Sequence, residues 1–333
     1  MRERCELGLV IEDQVLRNSW IAACREVDVK SEPLQVTILG ERVVLFKNDE
    51  GFHAFKDLCI HRGSALSLGK VKNGCLVCPY HGWEYSATGE CVKIPQLPEG
   101  AAITKKAKAI TYGCKVAYGF VWVNLNNNEP SLFDYPEFHD EQYRNVIWGP
   151  QAVKANPPRI IENFLDVSHL AFVHEGYLGV QEKPEISDYK VHKENGRIYT
   201  DEITVFQPNA DGTAVSKDVL YTYEVLNPIT ARFTKRDPST THAFTMFMTV
   251  LPAGECDCIA FGVESFNYDI GQTDEEAIEF QNTIFEQDKP IVENQKPEEL
   301  PLDLQVELSL KFDRLSIAYR QYLKEFGVTL GVE

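Results

Sequence analysis

Alternating apolar and polar positions dominate the first third of the chain. LQVTIL, RVVLFK and FHAFKD carry β-branched and aromatic residues at a period near two, and Asn48-Asp49-Glu50-Gly51 between the last two marks a hairpin turn. Before them, residues 1–35 predict a leader and a helix packed through Val15, Leu16 and Trp20. His53 sits inside the alternating pattern and is expected to be structural. The same alternation returns in YGCKVAYGFVWVNL, residues 112–125, so this part predicts a small antiparallel barrel. The polar, proline-containing run NNNEPSLFDYPEFHDEQ reads as a connection, with His139 facing solvent, and the division into domains is expected at 149/150. Beyond it, YTDEITVFQ, VLYTYEVL, AFTMFMTVL and CIAFGVESF predict an antiparallel sheet, while residues 274–296 and 304–326 carry apolar residues at helical spacing. The expected class is α+β: a small β domain over 1–149, then a second domain over 150–333 with a curved antiparallel sheet and packed helices.

Composition narrows the function. The 333 residues allow one large or two medium domains, their 44% hydrophobic content permits real cores, and the net charge of −17 argues against a nucleic-acid partner. Nine irregularly spaced cysteines suit a reducing cytoplasm better than a disulfide scaffold. MRERCELGLVIEDQVLRNSW holds no apolar run long enough for a signal peptide or a membrane helix, so no membrane association is expected.

Chemistry concentrates in CIHRGSALSLGKVKNGCLVCPYH. Cys59-x-His61 is followed after sixteen residues by Cys78-x2-His81. Two thiolates and two imidazoles on paired short loops suit a [2Fe–2S] centre, with both cysteines on one iron and both histidines on the other. A zinc ion accepts the same residue types, and Cys75 forms a C-x2-C with Cys78; but zinc motifs usually pair Cys with Cys and His with His, so the spacing favours iron–sulfur. Cys256-x-Cys258 is left unassigned.

A second constellation lies in IIENFLDVSHLAFVHEG, residues 160–176. The periodicity predicts an amphipathic helix burying Ile161, Phe164, Leu165 and Leu170, with Asn163, Asp166 and His169 on one shared polar face. A buried polar stripe is unfavourable without partners, so it points to a site. His174 comes five residues after His169, which requires a helix end or bulge between them. Two histidines and a carboxylate with open positions form the facial arrangement used for non-haem Fe(II) and O2. Two core histidines satisfied by hydrogen bonds are the plainer alternative.

The first segment, with His61-Arg62-Gly63, Cys78-Pro79-Tyr80-His81-Gly82-Trp83, Gly89 and Ile94-Pro95, resembles the Rieske domain of the Rieske non-haem iron oxygenases. The second matches that family's mononuclear-iron pattern E-N-x-x-D-x-x-H-x-x-x-x-H at Glu162, Asn163, Asp166, His169 and His174. Together they resemble a terminal oxygenase α-subunit, of the group that includes vanillate, dicamba and methylxanthine demethylases and saxitoxin-pathway hydroxylases. The resemblance implies a helix-grip-like second domain and a head-to-tail homotrimer. It implies that Asp166 is an inter-subunit electron-transfer bridge, with Asn163 beside it, and that Asp288 in QNTIFEQDKPIVENQKP joins His169 and His174 on Fe(II). Glu286 and Glu293 are expected to be solvated. Gln281 and Phe285 share the Asp288 face and are expected to line a substrate pocket. The tail KFDRLSIAYRQYLKEFG resembles the group's closing helix, with its charges exposed.

No glycine-rich dinucleotide fingerprint and no plant-type ferredoxin cysteine run is present, so a separate NAD(P)H-dependent reductase, possibly with a ferredoxin domain, must deliver electrons. The leading expectation is a monooxygenase that uses O2 for N- or O-demethylation of a small (hetero)aromatic. A C–H hydroxylase of a polar alkaloid-like substrate and a Rieske electron carrier without oxygen chemistry are the alternatives.

Overall fold

The computed structural model describes residues 9–128, 130–194, 196–209 and 215–333. The chain forms two compact units, Met1–Ser131 with Pro252–Gly254, and Leu132–Leu251 with Glu255–Glu333.

The first unit opens with a single helical turn, α1 (Gln14–Arg17), started by Asp13 accepting from the Leu16 amide at 2.8 Å. The helix expected over residues 1–35 is therefore much shorter. Leu16 and Trp20 are buried as expected, and the following residues turn into strand because Ile21, Ala22 and Ala23 are buried without break. Ten strands follow: β1 (Ile21–Arg25), β2 (Leu34–Ile38), β3 (Glu41–Asn48), β4 (Gly51–Lys56), β5 (Lys70–Lys72), β6 (Cys75–Val77), β7 (Glu84–Tyr85), β8 (Cys91–Lys93), β9 (Thr111–Ala117) and β10 (Phe120–Asn124). They make an antiparallel sheet ordered β1-β10-β9-β4-β3-β2 and a smaller one ordered β5-β6-β7-β8. The hairpin turn falls where the tetrad places it, with Asn48 opposite Gly51 and the Asn48 side chain accepting from the Glu50 amide. His53 Nε2 lies 2.8 Å from the same Asn48 oxygen, a structural role. Val44 and Phe46 of β3 and Phe55 of β4 pack with Leu66, Leu76 and Tyr85 into a core that also buries Cys59 and Cys78.

The second unit contains β11 (Arg144–Val153), β12 (Val191–Glu194), β13 (Arg197–Thr200), β14 (Ile203–Gln207), β15 (Lys217–Asn227), β16 (Thr230–Arg236), β17 (Ala243–Pro252) and β18 (Cys258–Phe266). Among the described residues they form one antiparallel sheet, β11-β18-β17-β16-β15-β13-β12, with β14 beside β15. The expected division at 149/150 would cut β11 in two. That strand pairs with β18 from Arg144 to Val153, so the unit has to begin upstream, at Leu132. Tyr135, fully buried and bonded to Ser265 Oγ at 2.8 Å, lies on the same side of that boundary.

Among the described residues three helices pack on the sheet: α2 (Pro157–Leu165) against β16, α3 (Asp274–Val292) against β11, and α4 (Arg314–Phe326) against β12 and β13. Thr273 and Glu276 cap α3 reciprocally, with three acidic residues in its first turn complementing the exposed amides. Asn282 Oδ1 accepts from Trp148 Nε1 at 2.9 Å and Gln151 Nε2 at 2.7 Å, fixing α3 on β11. The helix expected over 304–326 begins only at Arg314, directly after a 3-10 turn over Lys311–Asp313. Nor is the tail's charge all exposed. Arg320 is 5% exposed, and its guanidinium donates to both oxygens of Glu162 on α2, at 2.6 and 2.9 Å. Glu307 and Arg159 complete this buried network.

Removing one member of a buried pair strands the other charge, which typically costs roughly 3–5 kcal/mol. Arg320→Met is expected to lose stability on that scale in a denaturant titration of the second unit. Arg320→Lys should recover little of it, because a single ammonium cannot bridge both carboxylate oxygens.

Candidate active site

Two short loops carry the first set of candidate ligands. Cys59 follows β4 and Cys78 follows β6, and each cysteine carbonyl accepts from a glycine amide four residues on: Gly63 at 2.8 Å and Gly82 at 3.1 Å. Both glycines have positive φ, +71° and +72°, which lets each loop turn back tightly. Cys59 and Cys78 are each 2% exposed, while His61 and His81 reach outward with ring centroids 4.6 Å apart. Trp83 stacks on His61 at 4.5 Å, and Tyr85 Oη lies 3.1 Å from Cys59 Sγ. Burial pushes the Cys78 thiol up, with Cys59 next to it adding to the effect. His61 Nδ1 is buried without a hydrogen-bond partner. Buried thiols on one side and an orphaned imidazole nitrogen on the other fit a cluster of two irons. Among the described residues the set whose ligand atoms gather closely enough for one ion lies elsewhere, and Cys75 begins β6.

That other set is His169, His174 and Asp288, whose ligand atoms all lie within 4.8 Å of one another. The local fold departs from the sequence expectation. Helix α2 stops at Leu165, and Asp166 is its C-cap in extended conformation. Its Oδ1 accepts from both the amide and the hydroxyl of Ser168 at 2.7 Å, which starts a separate 3-10 turn over Ser168–Ala171. Asn163, Asp166 and His169 therefore do not share one helix face; the broken helix still brings them to the same cavity.

His169 Nε2 and His174 Nε2 are 3.1 Å apart, and Asp288 Oδ1 is 3.5 Å from the first and 3.2 Å from the second. His174 Nδ1 lies 2.8 Å from the acceptor Gln287 Oε1, so it carries the proton and leaves Nε2 a bare lone pair. Asp166 Oδ2, 3.5 Å from His169 Nδ1, favours the same tautomer there. Burial works against both charges, but contact with His169 holds Asp166 below the usual carboxylate range, and contact with Asp166 holds the His169 imidazole above its own. Two imidazole nitrogens and a carboxylate oxygen thus face one point, a set of donor atoms that suits a cation. Metal–ligand bonds of roughly 2.0–2.2 Å place adjacent ligand atoms about 3 Å apart, so the set fits a facial site. Asn163 Nδ2 donates to Asp288 Oδ1 at 3.4 Å, which makes Asn163 a support for the carboxylate.

A pocket opens from this group, walled by Phe164, Tyr221, Phe233, Phe244 and Phe266. Gln281 and Phe285 line this cavity, with Phe285 packed edge-on against Trp148 at 5.1 Å. Glu286 is exposed and paired with Lys289; Glu293 accepts from the Lys154 amide at 2.9 Å. Glu162 points away from the ligands into its arginine pair, so that motif position is structural. Two residues escaped the sequence. Gln287 has no distinguishing signal beside Asp288. Glu264 had one, as a lone acid inside the apolar run CIAFGVESF, and it lines the same pocket.

Comparison with known proteins agrees with both halves. Residues 19–111 match the Rieske [2Fe-2S] domain, and residues 153–328 match the vanillate O-demethylase oxygenase C-terminal domain. The methylxanthine N1-demethylase of Pseudomonas putida is 31% identical, over 94% of this chain and 90% of its own length. The N3-demethylase of the same organism is 28% identical, over 97% and 93%. A solved structure of the Pseudomonas putida CBB5 NdmA protein with caffeine superposes with a TM-score of 0.82 at 28% identity, covering 94% of this chain and 91% of that one. A Rieske domain followed by an oxygenase domain with converging histidine and carboxylate side chains makes this chain a member of the Rieske non-haem iron oxygenases.

Proposed function

We propose that the chain is the terminal oxygenase of a demethylating system, oxidising an N- or O-methyl group of a small (hetero)aromatic with O2 and electrons from a separate NAD(P)H-dependent reductase. The observation that carries this is the convergence of His169, His174 and Asp288 at one end of an aromatic-walled pocket, in a chain whose relatives are named as methylxanthine demethylases.

Cys59, His61, Cys78 and His81 would hold the [2Fe–2S] cluster, and His169, His174 and Asp288 the Fe(II). When bound, the cluster supplies single electrons and the iron supplies the open positions at which O2 is reduced. The protein's own part is positional. Gln287 and Asp166 fix the tautomers of the two histidines, and Asn163 steadies the carboxylate. The aromatic walls exclude water and hold a flat substrate, with Gln281 offering its amide to a heterocycle edge and Phe285 a ring face. Asp166 is assigned the electron bridge between His169 and a cluster histidine of the neighbouring subunit in a homotrimer. Oxidation places a hydroxyl on the methyl carbon, and the resulting hemiaminal or hemiacetal collapses to formaldehyde and the demethylated product. The eight described cysteines are free, in keeping with a reducing cytoplasm, and among the described residues no helix is long and apolar enough to cross a membrane.

The test is turnover with a surrogate Rieske reductase, NADH and O2 on a panel of N-methyl and O-methyl heteroaromatics. Formaldehyde with loss of CH2 from the substrate is expected; gain of one oxygen without formaldehyde would replace the demethylase reading by a hydroxylase. His169→Ala should abolish turnover and the non-cluster iron while leaving the cluster's visible spectrum intact. Loss of that spectrum in a folded variant would overturn the separation of the two sites. Asp166→Asn should keep both metals and slow turnover by roughly 10–100-fold, the usual effect of removing a partner behind a metal-binding histidine.

A further inference from the structure

Glu264 lies on β18 in the wall of the substrate pocket. It is 2% exposed, and its Oε2 has no hydrogen-bond partner. Burial pushes the carboxyl up to about 8, with the charge of Lys235 opposing. Lys235 is engaged elsewhere: its ammonium donates to Gln207 Oε1 at 3.3 Å and lies 5.4 Å from the centre of the Phe244 ring. A buried acid without a partner lowers stability. Its place in a ligand cavity, among aromatic faces of negative potential, is accounted for by a ligand that completes it.

We propose that Glu264 is the specificity residue of the pocket, and that the substrate carries a cationic N–H group (ammonium, amidinium or guanidinium) that docks on this carboxylate between the aromatic walls. The proposal rests on the reading of the cavity as the substrate pocket. Ring faces favour a cation over its neutral isostere, and a carboxylate adds a charge-assisted hydrogen bond. In the empty cavity the carboxyl holds its proton at neutral pH; the docked cation takes its place, and the proton leaves to solvent. Among the described residues the other titratable groups facing the cavity are Lys235, Tyr221, Tyr223 and Tyr268 from the sheet side, and Tyr177 and the metal-binding group with Asp166 from the other. Burial raises the phenols of Tyr221 and Tyr223, so both stay neutral.

The experiment is calorimetric binding to the oxidised holoenzyme, without reductase, of N-methylbenzylamine (protonated near neutrality) and of its neutral counterpart benzyl methyl ether. The amine is expected to bind about tenfold or more tightly than the ether, with proton release read from the dependence of the heat on buffer. Glu264→Gln should erase that preference and the proton release; Glu264→Asp should retain part of both. The variant's fold is checked by melting. A carboxyl whose folded pKa is raised contributes stability that is present below about 4.5 and lost as pH rises through about 8. Glu264→Gln lacks that decline, so it should melt at or above the wild type toward pH 8. Equal affinity of the wild type for amine and ether overturns the proposal, whatever the variant does. Cation preference without formaldehyde from any substrate would remove the demethylase reading and leave this one standing; turnover of neutral substrates without cation preference would do the reverse.

Discussion

The ion pair between Glu162 and Arg320 holds the helix on which half the candidate metal site depends. Glu162 and Asn163 are neighbours on α2, so they point in different directions. One is drawn into the guanidinium of α4; the other is turned to the Asp288 carboxylate. Two residues later the helix ends, and the Asp166 side chain both stops it and starts the turn that carries His169. The position of His169 is thus fixed from behind by a charge pair that never meets the ligands. A pair of this kind contributes little net stability over an apolar substitute. What it does give is direction, because a bidentate fork tolerates little rotation of α2.

The two candidate metal groups solve the same problem by opposite means. In the first unit the ligands sit on loops, and the loops are made rigid by paired glycine turns and by a core that absorbs the cysteines themselves. In the second unit the candidate ligands sit on or beside helices, with Gln287 bonded to His174 and the Asp166 carboxylate close to His169. Loops suit the first because backbone must approach sulfur closely. Helices suit the second because three acceptors have to be held against their mutual repulsion with positions left open.

Much of this was legible in the chain. The strand runs and the helix of α3 follow from local pattern and the two Cys/His/Asp clusters stand out by spacing, while Asp288 and the α3 face it shares with Gln281 and Phe285 came from the resemblance. The failures share a cause. Periodicity carried the helix of α2 through Asp166, although an aspartate followed by a serine two residues on is also a turn signal, and the side-chain bonds to Ser168 won. The expected domain division fell inside β11, because the partner of that strand, β18, lies more than a hundred residues away in sequence. Arg320 looked like a surface charge since its partner is equally remote. Gln287 could not be distinguished from its neighbours, for its role exists only once His174 is brought opposite.

Helix α3 bears Gln281, Phe285, Gln287 and Asp288 within little more than two turns. Pocket wall, imidazole support and candidate ligand are therefore parts of one rigid rod, keyed to β11 through Asn282. Changing a side chain at 281 or 285 reshapes the pocket and leaves the ligand where it was. Inserting or deleting a single residue between 281 and 288 rotates the ligand against the wall by about 100° and destroys both. Within this stretch, new substrates are reachable by substitution and closed to changes of length.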